Sequence, residues 1–284
     1  MYTTFDPHML RLTGGTEEYL DWIVKYGIGG VGVCSEILDC EEKAMELARK
    51  VWDRNLRWSV MFTPVDFYAP GVEDVRFEQG LEIFKRRCDV AERMRVEFCY
   101  NHVWSSNEDR PYAENFAWHV HRLEKVQQVC VDHGIRYGLE FLGPRQVLYR
   151  YRHPFIHTIA GVVALAEAAG GKAGFIFDTY HWSCEGARED DLYYAATHVE
   201  KMCGFHVNDG VFGRTLPFQL DLERAMPMTT GVIDAATPYK LFEEKGYDGP
   251  CICEPLWPTI DLFRNHDKER CVREIAEAYA RCAR

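Results

Sequence analysis

The sequence predicts a single (β/α)8 barrel, a TIM barrel, with residues 1–284 forming one domain. Three observations predict it. Short apolar runs alternate with longer amphipathic stretches along the whole chain, the pattern of repeated βα units around a parallel sheet. Eight of each fit into 284 residues, an ordinary length for a barrel kept as one domain. In the last four apolar runs a single inward polar residue sits at the C-terminal end, where such barrels carry their chemistry.

Taken in order, a first strand at 1–5 is followed by a helix at 17–26. GVGVC (30–34) is a second strand, and 41–55 has the apolar spacing of an amphipathic helix. WSVMFT (58–63) is a third strand before a helix at 77–94. VEFCYNH (96–102) is the fourth, and the long helix at 116–133 stops at Gly134. YGLEF (137–141) and a helix at 159–169 make the fifth unit; GFIFD (174–178) and a helix at 191–199 make the sixth. CGFHV (203–207) is the seventh strand, with a helix at 237–245 ending at Gly246. CICE (251–254) is the eighth, and a helix at 268–281 closes the fold. No GxGxxG follows the first strand, which disfavours an open dinucleotide-binding sheet. No linker, low-complexity tract or repeat divides the chain.

With 47% hydrophobic residues the chain can bury a large core. Its net charge of -11, from 44 acids against 33 bases, argues against a nucleic-acid partner, which needs a basic face. The eleven cysteines are odd in number and lack zinc-ribbon or CxxC spacing, so they read as reduced thiols, many packed as small apolar groups. No signal-peptide-like run opens the sequence, and no stretch reaches the roughly 18 apolar residues of a membrane span. A soluble, cytoplasmic protein without membrane contact is expected.

Alternation along a strand sends residues two apart to one face. In YGLEF, Gly138 and Glu140 share a face opposite Tyr137, Leu139 and Phe141. In GFIFD, Ile176 and Asp178 oppose Phe175 and Phe177. In CGFHV, Gly204 and His206 oppose Cys203, Phe205 and Val207, and in CICE, Ile252 and Glu254 oppose Cys251 and Cys253. Each strand thus points its bulky side chains outward and one polar residue inward at its C-terminal end. An acid there often only caps the next helix. Three acids converging at one height repel one another, however, and a divalent cation resolves the repulsion. Glu140, Asp178, His206 and Glu254 are therefore the expected ligands of one metal ion. Three oxygens and one imidazole favour Mn2+, Mg2+ or Co2+ over structural zinc, with Zn2+ and Fe2+ still compatible.

The runs GLEFLGP (138–144), FDTYHW (177–182), GFHVND (204–209) and CEPLW (253–257) resemble the xylose isomerase-like barrel family of sugar phosphate isomerase/epimerase type. Inosose (2-keto-myo-inositol) isomerases are the most similar members, with tagatose 3-epimerase, hydroxypyruvate isomerase and inosose dehydratase as relatives. RAMPMTTGVID (224–234) resembles the family's Arg…Pro-Gly-x-Gly-x-Ile-Asp segment, with Gly231 matching, Thr229 where the first glycine would stand, and Met228 one residue extra. The resemblance implies the same four metal ligands, a facing pair Glu140 and Glu254 that moves protons, and His181 hydrogen-bonding substrate. Arg214 lies roughly where the family binds substrate with an arginine. Pro144, Arg145 and Gln146 replace the further glutamate of ketohexose epimerases, which speaks against a simple ketohexose epimerase.

The expected activity is a metal-dependent isomerase or epimerase for a sugar or cyclitol, acting by proton transfer next to a carbonyl. Glu140 or Glu254 is the expected base, and His181 orients or shuttles a hydroxyl proton. A lyase, dehydratase or keto-sugar deglycosylating, could start from the same proton loss. His102, Trp104, Trp182 and Trp257 are candidate substrate contacts that could wall a sugar ring or an aromatic aglycone. Abasic-DNA endonucleases share this barrel, but the acidic charge disfavours that reading. A non-catalytic binding subunit would have no need of inward acids. Homo-oligomers, with or without a partner subunit, are compatible with the sequence.

Overall fold

The computed structural model describes residues 1–63 and 66–284. Its main sheet has nine strand segments, all parallel. They are β1 (Tyr2–Phe5), β2 (Gly30–Val31), β3 in two pieces (Arg57–Trp58 and Met61–Phe62), β4 (Phe98–Val103), β5 (Arg136–Phe141), β6 (Gly174–Asp178), β7 (Met202–Val207) and β8 (Pro250–Cys253). The two pieces of β3 explain how the sheet closes. The first pairs with β2 and the second with β4, while β1 pairs with both β8 and β2. The ring is complete, and no long unpaired edge is left to attract another strand.

The helices follow the sequence reading closely: α1 (Leu20–Lys25), α2 (Glu41–Trp52), α3 (Asp74–Arg93), α4 (Tyr112–Asp132), α5 (Ile159–Ala168), α6 (Glu189–Thr197), α7 (Ala236–Glu244) and α8 (Lys268–Cys282). Short helices at Arg145–Leu148, Thr179–Cys184 and Thr259–Phe263 decorate the mouth and were not legible in the periodicity. Several helices end alike. After α4, Gly134 turns left-handed at φ 65°, and its N–H and that of Ile135 bond back to Val131 and Cys130. After α3 the same ending is made by Arg95 at φ 62°, a position glycine would fill without strain. Among the described residues, no helix is long and apolar enough to cross a membrane.

The larger core lies between barrel and helices, and a smaller one fills the barrel with Val60, Phe98, Ile176, Cys203 and Ile252. Cys203 corrects the alternation argument, which put it outside with Phe205. The β6–β7 register shifts between Met202 and Gly204, and this bulge turns Cys203 inward. Glycines make the room. A Cβ on Gly138 would stand 2.8 Å from the Cβ of Cys203, and one on Gly204 would stand 2.9 Å from Cδ1 of Ile176. The interior below the mouth is therefore a packed plug, and polar chemistry is confined to the top layer.

Candidate active site

Strand register sets the height of the site. His102 pairs with Glu140 across β4 and β5, and Asp178 with His206 across β6 and β7. Glu254 follows β8, its N–H held by the carbonyl of Val207 at 3.0 Å. The four expected ligands come together. Nδ1 of His206 lies 3.1 Å from Oε1 of Glu140, 3.5 Å from Oε2 of Glu254 and 3.9 Å from Oδ2 of Asp178. One donor atom each from Asp178, His206 and Glu254 lies within 4.8 Å of the others, and the same holds for Glu140, Asp178 and His181.

Asp178 serves two purposes. Its Oδ1 accepts from the N–H of Tyr180 at 2.6 Å, capping the helix Thr179–Cys184, and from Nδ2 of Asn208 at 3.0 Å. Its Oδ2 faces the mouth. The helix-cap reading of a strand-end acid is thus correct for one oxygen and insufficient for the other.

Sequence reasoning missed the arginine of the site. Arg224, buried, places Nη1 2.8 Å from Oδ2 of Asp178 and in contact with Oε2 of Glu254, while Nη2 lies 3.3 Å from Nε2 of His181. Its guanidinium also sits 4.6 Å from the Tyr180 ring centre. A two-stranded strip, Glu223–Arg224 against Trp257–Pro258, carries it, and the carboxylate of Asp209 holds the following turn by accepting the N–H groups of residues 229–233. The available signal was the Arg224-to-Asp234 segment itself. Arg214, expected to help bind substrate, has its guanidinium on Glu223, next to Arg224.

The other candidates divide. His102 reaches the site, with Nε2 3.0 Å from Oε2 of Glu140. His181 is buried, with the N–H of Gly143 pointing at its Nδ1 at 3.3 Å and its Nε2 standing 3.5 Å from Oδ2 of Asp178. Trp104 stands just past β4, its Nε1 donating to Asp66, with Arg150 5.5 Å from its ring centre. Trp182 is not at the site: it packs on Phe177 outside the barrel, and its Nε1 donates to the carbonyl of Arg188. One helical position separates it from His181 and turns it toward the other side. Trp257 is 50% exposed on the strip beside Arg224 and is no part of the cavity wall described next.

A cavity of about 160 Å³ opens beside His206 and Glu254. Phe62 and Tyr100 stand over it with ring centres 5.0 Å apart, and Tyr100 meets His206 edge-on at 5.5 Å. Asp6, just past the end of β1, the strand paired with β8, also lines it. None of these three was singled out from the sequence.

Electrostatics tie the cluster together. Burial pushes Glu140 up, yet His206 and His102 outweigh it and hold the carboxyl well below its ordinary value. Burial disfavours the imidazolium of His206, but Glu140 and Glu254 hold its pKa well above the usual histidine range. His102 is pushed up to about 9, burial opposing and Glu140 prevailing. Even so, both oxygens of Glu140 and both ring nitrogens of His206 are buried without an aligned hydrogen bond. Buried polar atoms without partners on a carboxylate and an imidazole ring, facing two further acids, are what a divalent cation satisfies, and the donor set fits one.

The sequence matches the family described as xylose isomerase-like TIM barrel over residues 20–282. No curated protein matches it. Solved structures resemble it over nearly the full length. A xylose isomerase domain protein from Alicyclobacillus acidocaldarius has TM-score 0.83 and 23% identity, covering 99% of this chain and 98% of its own. The IOLI protein with a bound zinc atom has TM-score 0.80 and 15% identity over 99% and 98%. D-psicose 3-epimerase with D-tagatose, from Clostridium cellulolyticum H10, has TM-score 0.76 and 14% identity over 99% and 98%. At these identities the likeness is one of fold.

Proposed function

The chain belongs to the xylose isomerase-like TIM barrel family, and on that premise we propose that it is a divalent-metal-dependent isomerase or epimerase of a small keto-sugar or cyclitol. The observation that carries this reading is the orphaned, buried pair Glu140 and His206 facing Asp178 and Glu254 at the barrel mouth. These four residues would hold one ion. Mn2+ is the expected choice for three oxygens and one nitrogen, with Mg2+, Co2+ or Zn2+ as alternatives. The zinc atom in the IOLI protein and the D-tagatose in the epimerase support a metal and a keto-sugar.

When bound, the ion would supply positive charge where negative charge builds up beside a carbonyl. The chain's own groups do the rest. Glu140 or Glu254 removes the carbon-bound proton, and the same or the facing carboxylate returns it. Arg224 offers a buried, permanently charged donor to a substrate oxygen. His181, held between Gly143 and Arg224, orients a substrate hydroxyl and passes on its proton. His102, within reach of Glu140, holds that carboxylate in place.

The test is metal content by elemental analysis together with proton exchange in D2O followed by NMR. About one equivalent of metal in wild type, lost in His206→Ala, is expected. Glu254→Gln should keep the fold and abolish exchange. No metal in either protein, even after Mn2+ addition, would overturn the reading. A product lighter by one water would reassign the same proton transfer to a lyase.

A further inference from the structure

The segment between β7 and α7 carries Arg224, yet its regular structure is one short helical turn, Leu216–Phe218, and half of the two-stranded strip. A connection of that kind does not by itself hold a side chain at a fixed height. Asp209, three residues after His206, supplies the hold and is fully buried. Its backbone pairs with the residue that follows Arg224. The N–H of Asp209 donates to the carbonyl of Ala225 at 3.1 Å, and the N–H of Ala225 donates to the carbonyl of Asp209 at 2.8 Å. Its carboxylate gathers the far end of the segment. Oδ2 accepts from the N–H groups of Thr229 at 3.0 Å, Thr230 at 2.8 Å and Gly231 at 3.1 Å. Oδ1 accepts from those of Gly210 at 2.8 Å, Val232 at 3.2 Å and Ile233 at 2.8 Å. The hydroxyl of Thr230 closes the same loop by donating to the carbonyl of Gly210 at 2.7 Å. Six backbone donors thus converge on one carboxylate, where a helix cap uses one or two.

We propose that Asp209 is a positioning residue for the site. By tying both ends of this segment to the end of β7 it fixes the height of Arg224, and through Arg224 it sets how strongly Asp178 and Glu254 attract a metal ion. The inference rests on the metal-dependent isomerase reading. His206 and Arg224 then take their places from one strand, β7, whose register is locked to β6 and β8. The other polar contacts of Arg224 do not replace this hold. Its Nε donates to the carbonyl of Asp221 at 3.0 Å and its Nη2 lies 3.4 Å from Oδ1 of Asp221, a residue that travels with the same segment. Leu256 and Thr259 donate to the carbonyl of Arg224, and the hydroxyl of Tyr180 to those of Leu220 and Glu223. These are neutral single bonds, each weaker than bonds to a buried carboxylate. The consequence for the metal is one of charge. Nη1 of Arg224 touches Oδ2 of Asp178 and Oε2 of Glu254, oxygens that would also face the ion. Guanidinium and ion share these acids and repel each other, so an Arg224 that leaves its place makes the acids a stronger metal site. General loosening of the mouth has the opposite sign.

The experiment takes wild type, Asp209→Asn, Arg224→Ala and the double variant through two measurements, the calorimetric Kd for Mn2+ and the urea midpoint in EDTA. Arg224→Ala should bind Mn2+ at least about fivefold more tightly than wild type. Asp209→Asn keeps the size of the side chain but loses one acceptor oxygen. It should shift Kd in the same direction, and the double variant should bind no more tightly than Arg224→Ala. In urea, the fall in midpoint caused by Arg224→Ala should shrink by at least half in the Asp209→Asn background. Weaker Mn2+ binding by Asp209→Asn, or effects of the two substitutions that simply add, overturns the proposal. If Asp209→Asn does not fold, Thr230→Ala repeats the test, since it removes only the hydroxyl that closes the loop on Gly210. A smaller tightening that vanishes in the Arg224→Ala background supports the proposal, and an unchanged or weaker Kd overturns it. No Mn2+ binding by any of the proteins overturns the isomerase reading instead. The urea cycle then decides the positioning role by itself: an Arg224→Ala effect of equal size in both backgrounds overturns it, and one cut by half supports it.

Discussion

At the scale of single residues, the site is a balance of buried charges in which Arg224 has the largest part. Its guanidinium is 5% exposed and touches Asp178 at 0% and Glu254 at 13%. Burial works against its charge, but Glu254 and Asp178 hold its pKa well above even the usual arginine value. Removing it leaves two buried carboxylates without their partner. Arg224→Ala should therefore cost about 3 kcal/mol or more in the metal-free protein, measured by urea unfolding in EDTA. Excess Mn2+ should recover most of that loss, since the ion supplies the missing charge. A backbone contact governs a second residue. A Cβ on Gly143 would stand 2.1 Å from the carbonyl oxygen of His181, so Gly143→Ala must displace that histidine. Its D2O exchange rate should fall at least about tenfold with the metal stoichiometry unchanged, since a small misplacement near reacting atoms is costly.

At the scale of elements, the alternation of side chains made the second half of the mouth legible. Glu140, Asp178, His206 and Glu254 each end an apolar strand, and a period of two leaves no choice of face. Thr4 and Asp6 obey the same rule, but the apolar run of β1 stops before Asp6 and nothing in the sequence marks the acid as part of the strand end. Cys203 escaped because a bulge resets the period without leaving a trace in composition. Arg224 escaped for another reason. It rides on a strip held by Asp209 and by pairing with Trp257–Pro258, contacts remote in sequence and without periodicity. Two glycines separate the kinds of constraint at work in one strand unit. Gly134→Ala meets nothing within 4 Å, so it pays only for its left-handed φ of 65°, about 1 kcal/mol. Gly138→Ala would push on Cys203 inside the plug and should cost more, about 2–3 kcal/mol. Urea unfolding of the two variants checks the order.

At the scale of the whole molecule, the closed barrel was legible because each βα unit repeats the same signals, whereas the split of β3 into two separately paired pieces was not. Stability as a function of pH is a property of this scale, and one buried ring shapes it. His119 on α4 is 1% exposed, its Nδ1 bonded to the carbonyl of Asn115 at 2.7 Å and its ring stacked 4.9 Å from Tyr68. Burial pushes its pKa down to about 3. The unfolded chain, titrating near 6.5, binds a proton that the folded one refuses, so stability falls as pH drops from about 6.5 toward 3. The slope from this group is about 1.4 kcal/mol per pH unit, and His119→Gln should remove it from denaturation curves taken between about pH 6 and 4. The mouth itself has two unlike sides. Carboxylates and His206 gather at the ends of β5 to β8, while Phe62 and Asp6 stand at the ends of β3 and β1 and Tyr100 lies within β4. On the proposed reading, a descendant could trade its preferred molecule by altering the opening half of its gene while inheriting the closing half untouched.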